Sequence, residues 1–293
     1  MTRPVATISI DVDPVDLHLI GYGFPGLPPD PLAYTAGLPR LAAAFARHGM
    51  RATFFCVGRD AAAHAAELRN LAVAGHEIAS HTWSHPIGFA NLPPAKQLAE
   101  LADSRRALSE ASGADVVGFR APNFDMRASV VPRLAAAGYR YDASAYPSLL
   151  LLPARAVLAM KSSQPGQVLA MRPWPFTWNR MPYTWRVDGA EIREFPVAMT
   201  PGLRLPVYHT MRWLASERSF ESAIEGFARR REPLSYVLHA VDALGQAEDR
   251  VDPRLARHPG MDRPLAAKLE MLDRTLAAIA SRFDVSTYAE QLG

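Results

Sequence analysis

Short β-rich segments alternate with longer segments of helical period along this chain, and this alternation limits the fold more than any other feature. Repeated βα units require parallel strand pairing, so a series of seven or eight predicts a closed α/β barrel. An open doubly wound sheet is the competing interpretation, which a GxGxxG sequence after the first strand would favour. The chain has no such sequence there.

The predicted elements follow from periodicity and from glycines that stand just after helical segments. The predicted strands are Val5–Asp11, Ala52–Val57, Glu77–Ser80, Val116–Arg120, Tyr139–Ala143, Ile192–Val197, Ser235–His239 and Phe283–Ser286. The predicted helices are Leu38–His48, Asp60–Ala74, Ala95–Ser112, Ala128–Ala137, Leu205–Ala215, Phe220–Arg230 and Pro264–Ser281.

Two stretches interrupt the alternation and are predicted to be long loops. Pro14–Pro39 is rich in proline and glycine, which argues against a helix there. Tyr146–Gly189 is a long aromatic-rich insertion that contains the apolar run Leu149–Leu152 and three tryptophans, Trp174, Trp178 and Trp185. Because long loops in compact domains are usually functional, both are expected to border the mouth of the barrel.

Composition excludes several classes of protein. With 49% hydrophobic and 21% charged residues, the chain is globular, and its one cysteine, Cys56, rules out a disulfide framework. The net charge is +3 and the arginines are scattered, which argues against a nucleic-acid partner. We find no membrane-spanning run and no signal sequence, so we expect a cytoplasmic location. We also expect one catalytic domain over residues 1–293.

Polar residues gather where the predicted strands end, which is where a barrel builds its active site. His81 and His85 are four residues apart, a spacing at which one helical turn would direct both imidazoles to one metal ion. A carboxylate from Asp11 or Asp13 would complete a set of two histidines and one carboxylate. The alternative is that the two histidines are exposed on the surface without a functional role, or that they cap a helix.

The remaining polar strand ends also have two interpretations. Asp11 and Asp13 could form a turn, or one could bind a metal while the other acts as a base. Arg120 could be structural or could hold an aspartate, and His239 could be a core histidine or a general acid. The other histidines are interpreted as surface or core residues: His18, His48, His64, His76, His209 and His258.

Taken together, these motifs resemble the polysaccharide deacetylase superfamily, carbohydrate esterase family four. The aspartates are separated by Val12, which is similar to the cytoplasmic peptidoglycan-deacetylase-like, allantoinase-like and aminoarabinose-deformylase branches. The similar segments cover most of the chain: Ile10-Asp-Val-Asp13, Ala52-Thr-Phe-Phe55, Gly75-His-Glu-Ile78, Ser80-His-Thr-Trp-Ser-His85, Phe119-Arg-Ala-Pro122, Tyr141-Asp-Ala-Ser144 and Leu238-His239.

The resemblance implies a distorted (β/α) barrel and one divalent metal ion, usually zinc. It implies Asp13, His81 and His85 as ligands and Asp11 as the base. Arg120 would position Asp11, His239 would protonate the leaving amine, and a backbone N–H after Pro122 would help to stabilise the oxyanion. Further candidate substrate contacts are Pro122, Asn123, Phe124, Asp142, Trp174 and Trp178.

The sequence therefore predicts metal-dependent hydrolysis of a C–N bond, most simply the N-deacetylation of an acylated amino sugar or a similar amine. The alternatives are a deformylase, a cyclic-amide hydrolase, a binding protein on a retired barrel, and a mononuclear iron oxygenase. Tryptophans near Arg172, Arg180 and Arg186 would suit a hydrophobic or lipid-linked substrate, or a peripheral membrane contact. The sequence does not determine the oligomeric state, and a homo-oligomer remains one of the alternatives.

Overall fold

A curled, mostly parallel β-sheet forms the framework of the protein. The computed structural model describes residues 2–148, 153, 156, 159, 160 and 179–293. The sheet has the strand order β6-β7-β5-β4-β3-β2-β1-β8, with β9 also paired to β1. The strands are β1 (Val5–Val12), β2 (Thr53–Cys56), β3 (Glu77–Ser80), β4 (Gly118–Phe119), β5 (Tyr141–Asp142), β6 (Tyr183–Val187), β7 (Ala190–Glu194), β8 (Leu234–His239) and β9 (Asp284–Val285).

Helices pack against this sheet and connect its parallel strands. They are α1 (Val15–Gly21), α2 (Leu38–Arg47), α3 (Ala65–Val73), α4 (Pro94–Ser112), α5 (Val131–Ala136), α6 (Glu217–Arg230) and α7 (Leu265–Ala280). In α2, Leu38, Leu41 and Phe45 form one buried face, as their spacing predicts. Within the described residues, no helix is both long enough and apolar enough to cross a bilayer.

The predicted distorted (β/α) barrel is confirmed as a half-barrel. Strand β1, which β2 and β8 flank, is buried from Ala6 to Val12. The chain after β7 crosses the remaining side, where Phe195 N donates to Asp142 O at 2.9 Å and Ala198 N donates to Ser235 O at 3.0 Å. The carboxyl ends of the parallel strands therefore converge around one mouth.

The prediction that Pro14–Pro39 is a loop without helix was wrong in part. Residues Val15–Gly21 form α1, and Ala33–Gly37 form a single π-helical turn. Pro14 precedes the first helical residue, a position at which proline does not disrupt a helix. Val15 and Leu19 lie one turn apart and enter a small apolar cluster with residues of the distant segment 241–261. This tertiary contact explains a helix that the local composition conceals.

The prediction that Tyr146–Gly189 is entirely loop was also wrong. Strand β6 pairs antiparallel with β7 through a hairpin whose turn is Asp188-Gly189. Both turn residues have positive φ, 49° and 77°, as a two-residue type I′ hairpin requires. This Asp-Gly signal was present in the sequence. Leu149–Leu152, Trp174 and Trp178 lie outside the described residues.

One predicted helix, Leu205–Ala215, was wrong. Met199 and Pro206 form an isolated antiparallel bridge, and the only helical structure in the predicted range is a 3-10 turn at His209–Trp213. The backbone on either side of Pro206 pairs with residues 198–200, because Thr200 N donates to Leu205 O at 2.9 Å and Val207 N donates to Ala198 O at 2.8 Å. The range is therefore extended at its start and only briefly helical afterwards.

Candidate active site

Asp13, His81 and His85 converge at the mouth of the half-barrel. Nε2 of His81 and Nε2 of His85 each lie 3.5 Å from Oδ1 of Asp13. One potential ligand atom from each residue falls within 4.8 Å of the others, and these three residues form the one such group found in the described part of the chain. Asp13 follows the last residue of β1, so the alternation within the strand does not turn it away from Asp11.

The two histidines do not share a helix, and this prediction was wrong. His81 directly follows β3, whereas His85 lies in a loop in which Thr82 and His85 have positive φ, 66° and 56°. Thr82 Oγ1 accepts a hydrogen bond from His85 N at 3.0 Å. This tight loop, and not a helical turn, brings the second imidazole back towards the first.

Burial favours the neutral form of each of the three side chains. Nδ1 of His81 donates to the Arg120 carbonyl at 2.8 Å, so the neutral ring offers only a lone pair at Nε2. Burial lowers the pKa of His81 and brings that of His85 to about 4, while burial raises the pKa of Asp13. Oδ1 of Asp13 is buried and has no hydrogen-bond partner among the described residues. A buried carboxylate oxygen without a hydrogen-bond partner, facing two imidazole nitrogens, fits a divalent ion.

Asp11 lies beside this group in a different environment. Its Oδ1 accepts a hydrogen bond from Nη1 of Arg120 at 2.6 Å, and its Oδ2 is 4.0 Å from Nε2 of His239. Burial opposes ionisation of Asp11, but the charge and hydrogen bond of Arg120, together with His81 and His239, outweigh it and hold the pKa below the ordinary value. Asp11 is therefore an ionised carboxylate between an arginine and a histidine.

Arg120 is fully buried and is fixed by several partners. Its Nε donates to Ala143 O and its Nη2 donates to Ser9 Oγ, both at 2.9 Å. Its guanidinium carbon lies 4.1 Å from the ring centroid of Phe55. The planar guanidinium thus binds Asp11 in one orientation, an arrangement that lysine could not reproduce.

The segment Pro122–Phe124 forms a 3-10 turn directly after β4 and Arg120. Asn123 and Phe124 have positive φ, and the Phe124 ring lies 5.0 Å from that of Tyr146. The structure therefore puts these three predicted contact residues on the strand end next to Arg120. Their binding of substrate stays a prediction.

Asp142 has partners inside the protein. It is fully buried at the end of β5, where it accepts a hydrogen bond from Ser144 Oγ and shares another with Glu194. Its carboxyl group is thus engaged with Ser144 and with the neighbouring strand β7. Trp174 and Trp178, the other predicted substrate contacts away from Arg120, lie outside the described residues.

Sequence reasoning missed two histidines. The ring centroids of His18 and His258 lie 5.7 and 6.2 Å from that of His239, and 5.4 Å from each other. Tyr22 OH is hydrogen-bonded to Nδ1 of His258 at 3.2 Å. Both were interpreted as surface or core residues, and their position beside His239 was not predicted. No sequence pattern links them, because α1 and the segment near residue 258 meet only in the folded protein.

The fold and the site place the protein in one class: a (β/α) half-barrel with two histidines and one aspartate that could hold a metal ion at its mouth. A family model described as polysaccharide deacetylase matches residues 29–141. This range contains His81, His85 and Arg120, while Asp11, Asp13 and His239 lie outside it.

Individual proteins give the same result. The peptidoglycan deacetylase of Helicobacter pylori is 29% identical over 143 residues, which are 46% of this chain and about half, 47%, of that protein. A Mycobacterium smegmatis structure described as a polysaccharide deacetylase has a TM-score of 0.61 at 19% identity, covering 100% of this chain and 90% of the other. The Puue allantoinase structure has a TM-score of 0.58 at 15% identity, with coverage of 98% and 88%. Over residues 29–141 the chain matches the polysaccharide deacetylase family, as its motifs predict.

Proposed function

We propose that this protein is a metal-dependent hydrolase of amide C–N bonds that removes the acyl group from an N-acylated amino sugar. The observation that carries the proposal is the convergence of a metal-binding trio, an arginine-bound carboxylate and a histidine at one barrel mouth. The match to peptidoglycan deacetylase supports an acetylated amino sugar as the substrate class.

Asp13, His81 and His85 would hold the ion. Nitrogen and carboxylate ligands of this kind are typical of catalytic zinc sites, which supports Zn²⁺ as the cofactor. When bound, the ion would supply Lewis-acid activation of a water molecule and of the acyl carbonyl. The residues around the site contribute the remaining chemistry.

Asp11 accepts a proton from the attacking water as the new C–O bond forms, and Oδ2 is the oxygen that Arg120 does not bind. His239 donates a proton from Nε2 to the amine nitrogen as the C–N bond breaks. One proton is taken and one is given in each turnover. The 4.0 Å between Asp11 Oδ2 and His239 Nε2 is short enough for one water molecule to return the proton between them.

The test is release of acetate from N-acetylglucosamine oligomers by protein that is first stripped with a chelator and then reloaded with Zn²⁺. We expect activity to vanish on stripping and to return on reloading. Unchanged hydrolysis by the stripped protein would contradict the metal requirement. Folded, zinc-loaded protein that releases no acyl group from soluble oligomers or from hydrophobic N-acylated amines would contradict the proposed function.

The same assay tests the prediction about the carrier. If residues 146–189 bind a hydrophobic or lipid-linked part of the substrate, hydrophobic N-acylated amines should be hydrolysed better than soluble oligomers, and alanine at Trp174 or Trp178 should remove that preference. Efficient hydrolysis of soluble oligomers by both variants would argue against such a carrier.

A further inference from the structure

Helix α4 runs alongside the segment that carries the two histidines, and polar side chains join them at successive points. As the segment proceeds from residue 80 to residue 90, its partners on α4 proceed from residue 104 back to residue 97. The contacts are Ser80 Oγ with Ser104 Oγ at 2.8 Å, Ser84 with Glu100, and Gln97 Nε2 donating to Ala90 O at 3.1 Å. Because positions 97, 100 and 104 lie on one side of a helix, α4 presents a continuous polar edge to this segment.

The central contact is bidentate. Ser84 N donates to Oε2 of Glu100 at 2.8 Å, and Ser84 Oγ donates to Oε1 at 2.6 Å. Both carboxylate oxygens of Glu100 thus accept hydrogen bonds from Ser84, the residue next to His85. Hydrogen bonds to an ionised acceptor of this kind are among the stronger ones in proteins.

The other side of the loop is also held. Gly58 N donates to Thr82 O and Arg59 N donates to Trp83 O, both at 2.9 Å. The loop between β3 and His85 is thereby fixed from the 58–60 turn and from α4. Two of its residues have left-handed backbone conformations, which non-glycine residues keep only when their surroundings impose them.

The two histidine ligands depend on this support to different degrees. His81 follows β3 directly and its ring is oriented by the carbonyl of Arg120. His85 lies beyond the strand, so the loop backbone sets the position of its ring. Thr82 Oγ1 binds His85 N from within the loop, and Ser84, bound to Glu100, fixes the same backbone from outside it.

We propose that Glu100 is a positioning residue that acts through Ser84 to hold His85 in place for metal binding, an inference that rests on the metal site of the proposed function. Loss of the carboxylate would let the left-handed loop relax and would misplace one of three ligands. Partners that orient metal ligands typically change metal affinity by about 10–100-fold when removed.

The experiment measures Zn²⁺ affinity of the full chain by competition with a chromophoric chelator, and records the visible spectrum with Co²⁺. We expect Glu100→Gln to weaken Zn²⁺ binding by about 10–100-fold and to alter the Co²⁺ spectrum. Ser84→Ala removes the hydroxyl donor but keeps the backbone N–H bond to Glu100, so it should weaken Zn²⁺ binding less than Glu100→Gln does. The double variant should be little worse than Glu100→Gln alone, because both residues act through the same pair of hydrogen bonds. Glu110→Gln, an exposed position on the same helix, is the matched control and should bind like wild type.

The outcomes separate this inference from the proposed function. Equal Zn²⁺ affinity in wild type, Glu100→Gln and Ser84→Ala would overturn the inference and leave the proposed metal site intact. A lower melting temperature of the stripped Glu100→Gln protein with unchanged Zn²⁺ affinity would reduce Glu100 to a structural role and also overturn it. A folded wild-type protein that binds neither ion would overturn both proposals. If Glu100→Gln does not fold, Ser84→Ala, which leaves α4 unchanged, decides the matter.

Discussion

Two aspartates separated by one residue illustrate how position within the fold sets the role of a side chain. Asp11 lies inside β1 and is bound by Arg120, whereas Asp13 lies just past the strand and faces the two imidazoles. Both are almost completely buried, and their pKa values shift in opposite directions. The two roles follow from position: Asp13 faces the imidazoles of His81 and His85, whereas Asp11 keeps Oδ2 free of Arg120.

Substitution by asparagine should separate these two roles. Asp11→Asn keeps the size of the side chain but removes the basic oxygen, so we expect metal content near wild type and turnover lower by roughly 10²–10⁴-fold. Asp13→Asn should lower both metal content and turnover. The measurements are metal per chain by atomic emission and initial rates of acyl release. The reverse pattern would mean that the two roles are exchanged.

At the scale of elements, the site depends on how closely the 58–60 turn approaches α4. A Cβ atom added at Gly58 would lie 2.6 Å from Cα and 2.9 Å from Cβ of Ser104. These are atoms with little freedom to move, so glycine at this position is required for packing. The same residue donates its N–H to Thr82 O in the metal-binding loop.

Gly58→Ala should therefore disturb stability and metal binding together. We expect the free energy of unfolding to fall by about 1–3 kcal/mol, the usual cost of overpacking, and Zn²⁺ affinity to fall as the loop shifts. Urea denaturation and chelator competition measure the two effects. Gly21→Ala is the control, because an added Cβ there would meet no atom within 4 Å. If Gly58→Ala has the unfolding free energy of wild type, the close approach of the 58–60 turn to α4 does not require glycine.

At the scale of the whole molecule, a pair of buried acids joins two strands of the half-barrel. Asp142 on β5 and Glu194 on β7 are neighbours in the sheet register and share a hydrogen bond. Burial, and then the charge of Asp142, raises the pKa of Glu194 well above its ordinary value. Glu194 also accepts hydrogen bonds from Trp185 Nε1 and from Ala145 N. At pH values above 4.5, the pair therefore keeps a proton that the unfolded chain would release.

This proton makes stability depend on pH. A raised carboxyl pKa gives a contribution that is complete below the ordinary value of 4.5 and is lost as pH rises towards the pKa of the folded state. Relative to Glu194→Gln, wild type should thus lose up to about 1.4 kcal/mol of unfolding free energy per pH unit above that value. Urea denaturation at several pH values between 5 and 8 measures the difference. Glu191→Gln, exposed on the same strand, should follow wild type, and parallel curves for Glu194→Gln and wild type would contradict the shared proton.

The βα alternation and the residues of the candidate metal site could be predicted from the sequence alone. Burial on a strand or on a helix face leaves a local period, so β1, α2 and α4 could be located from their own residues. The motif around His81 and His85, together with the strand ends at Asp13, Arg120 and His239, indicated the site because parallel strands end at the same edge of a sheet.

Only the tertiary structure decided which distant residues became neighbours. Helix α1 is stabilised by apolar contacts with residues 241–261, and the same approach brings His18 and His258 to His239. The loop that turns His85 back towards Asp13 is held by Glu100 and by the 58–60 turn, not by its own helical propensity. These features arise from contacts between segments far apart in the chain. A local sequence pattern cannot predict such contacts, because they stabilise the protein only after the sheet has brought the segments together.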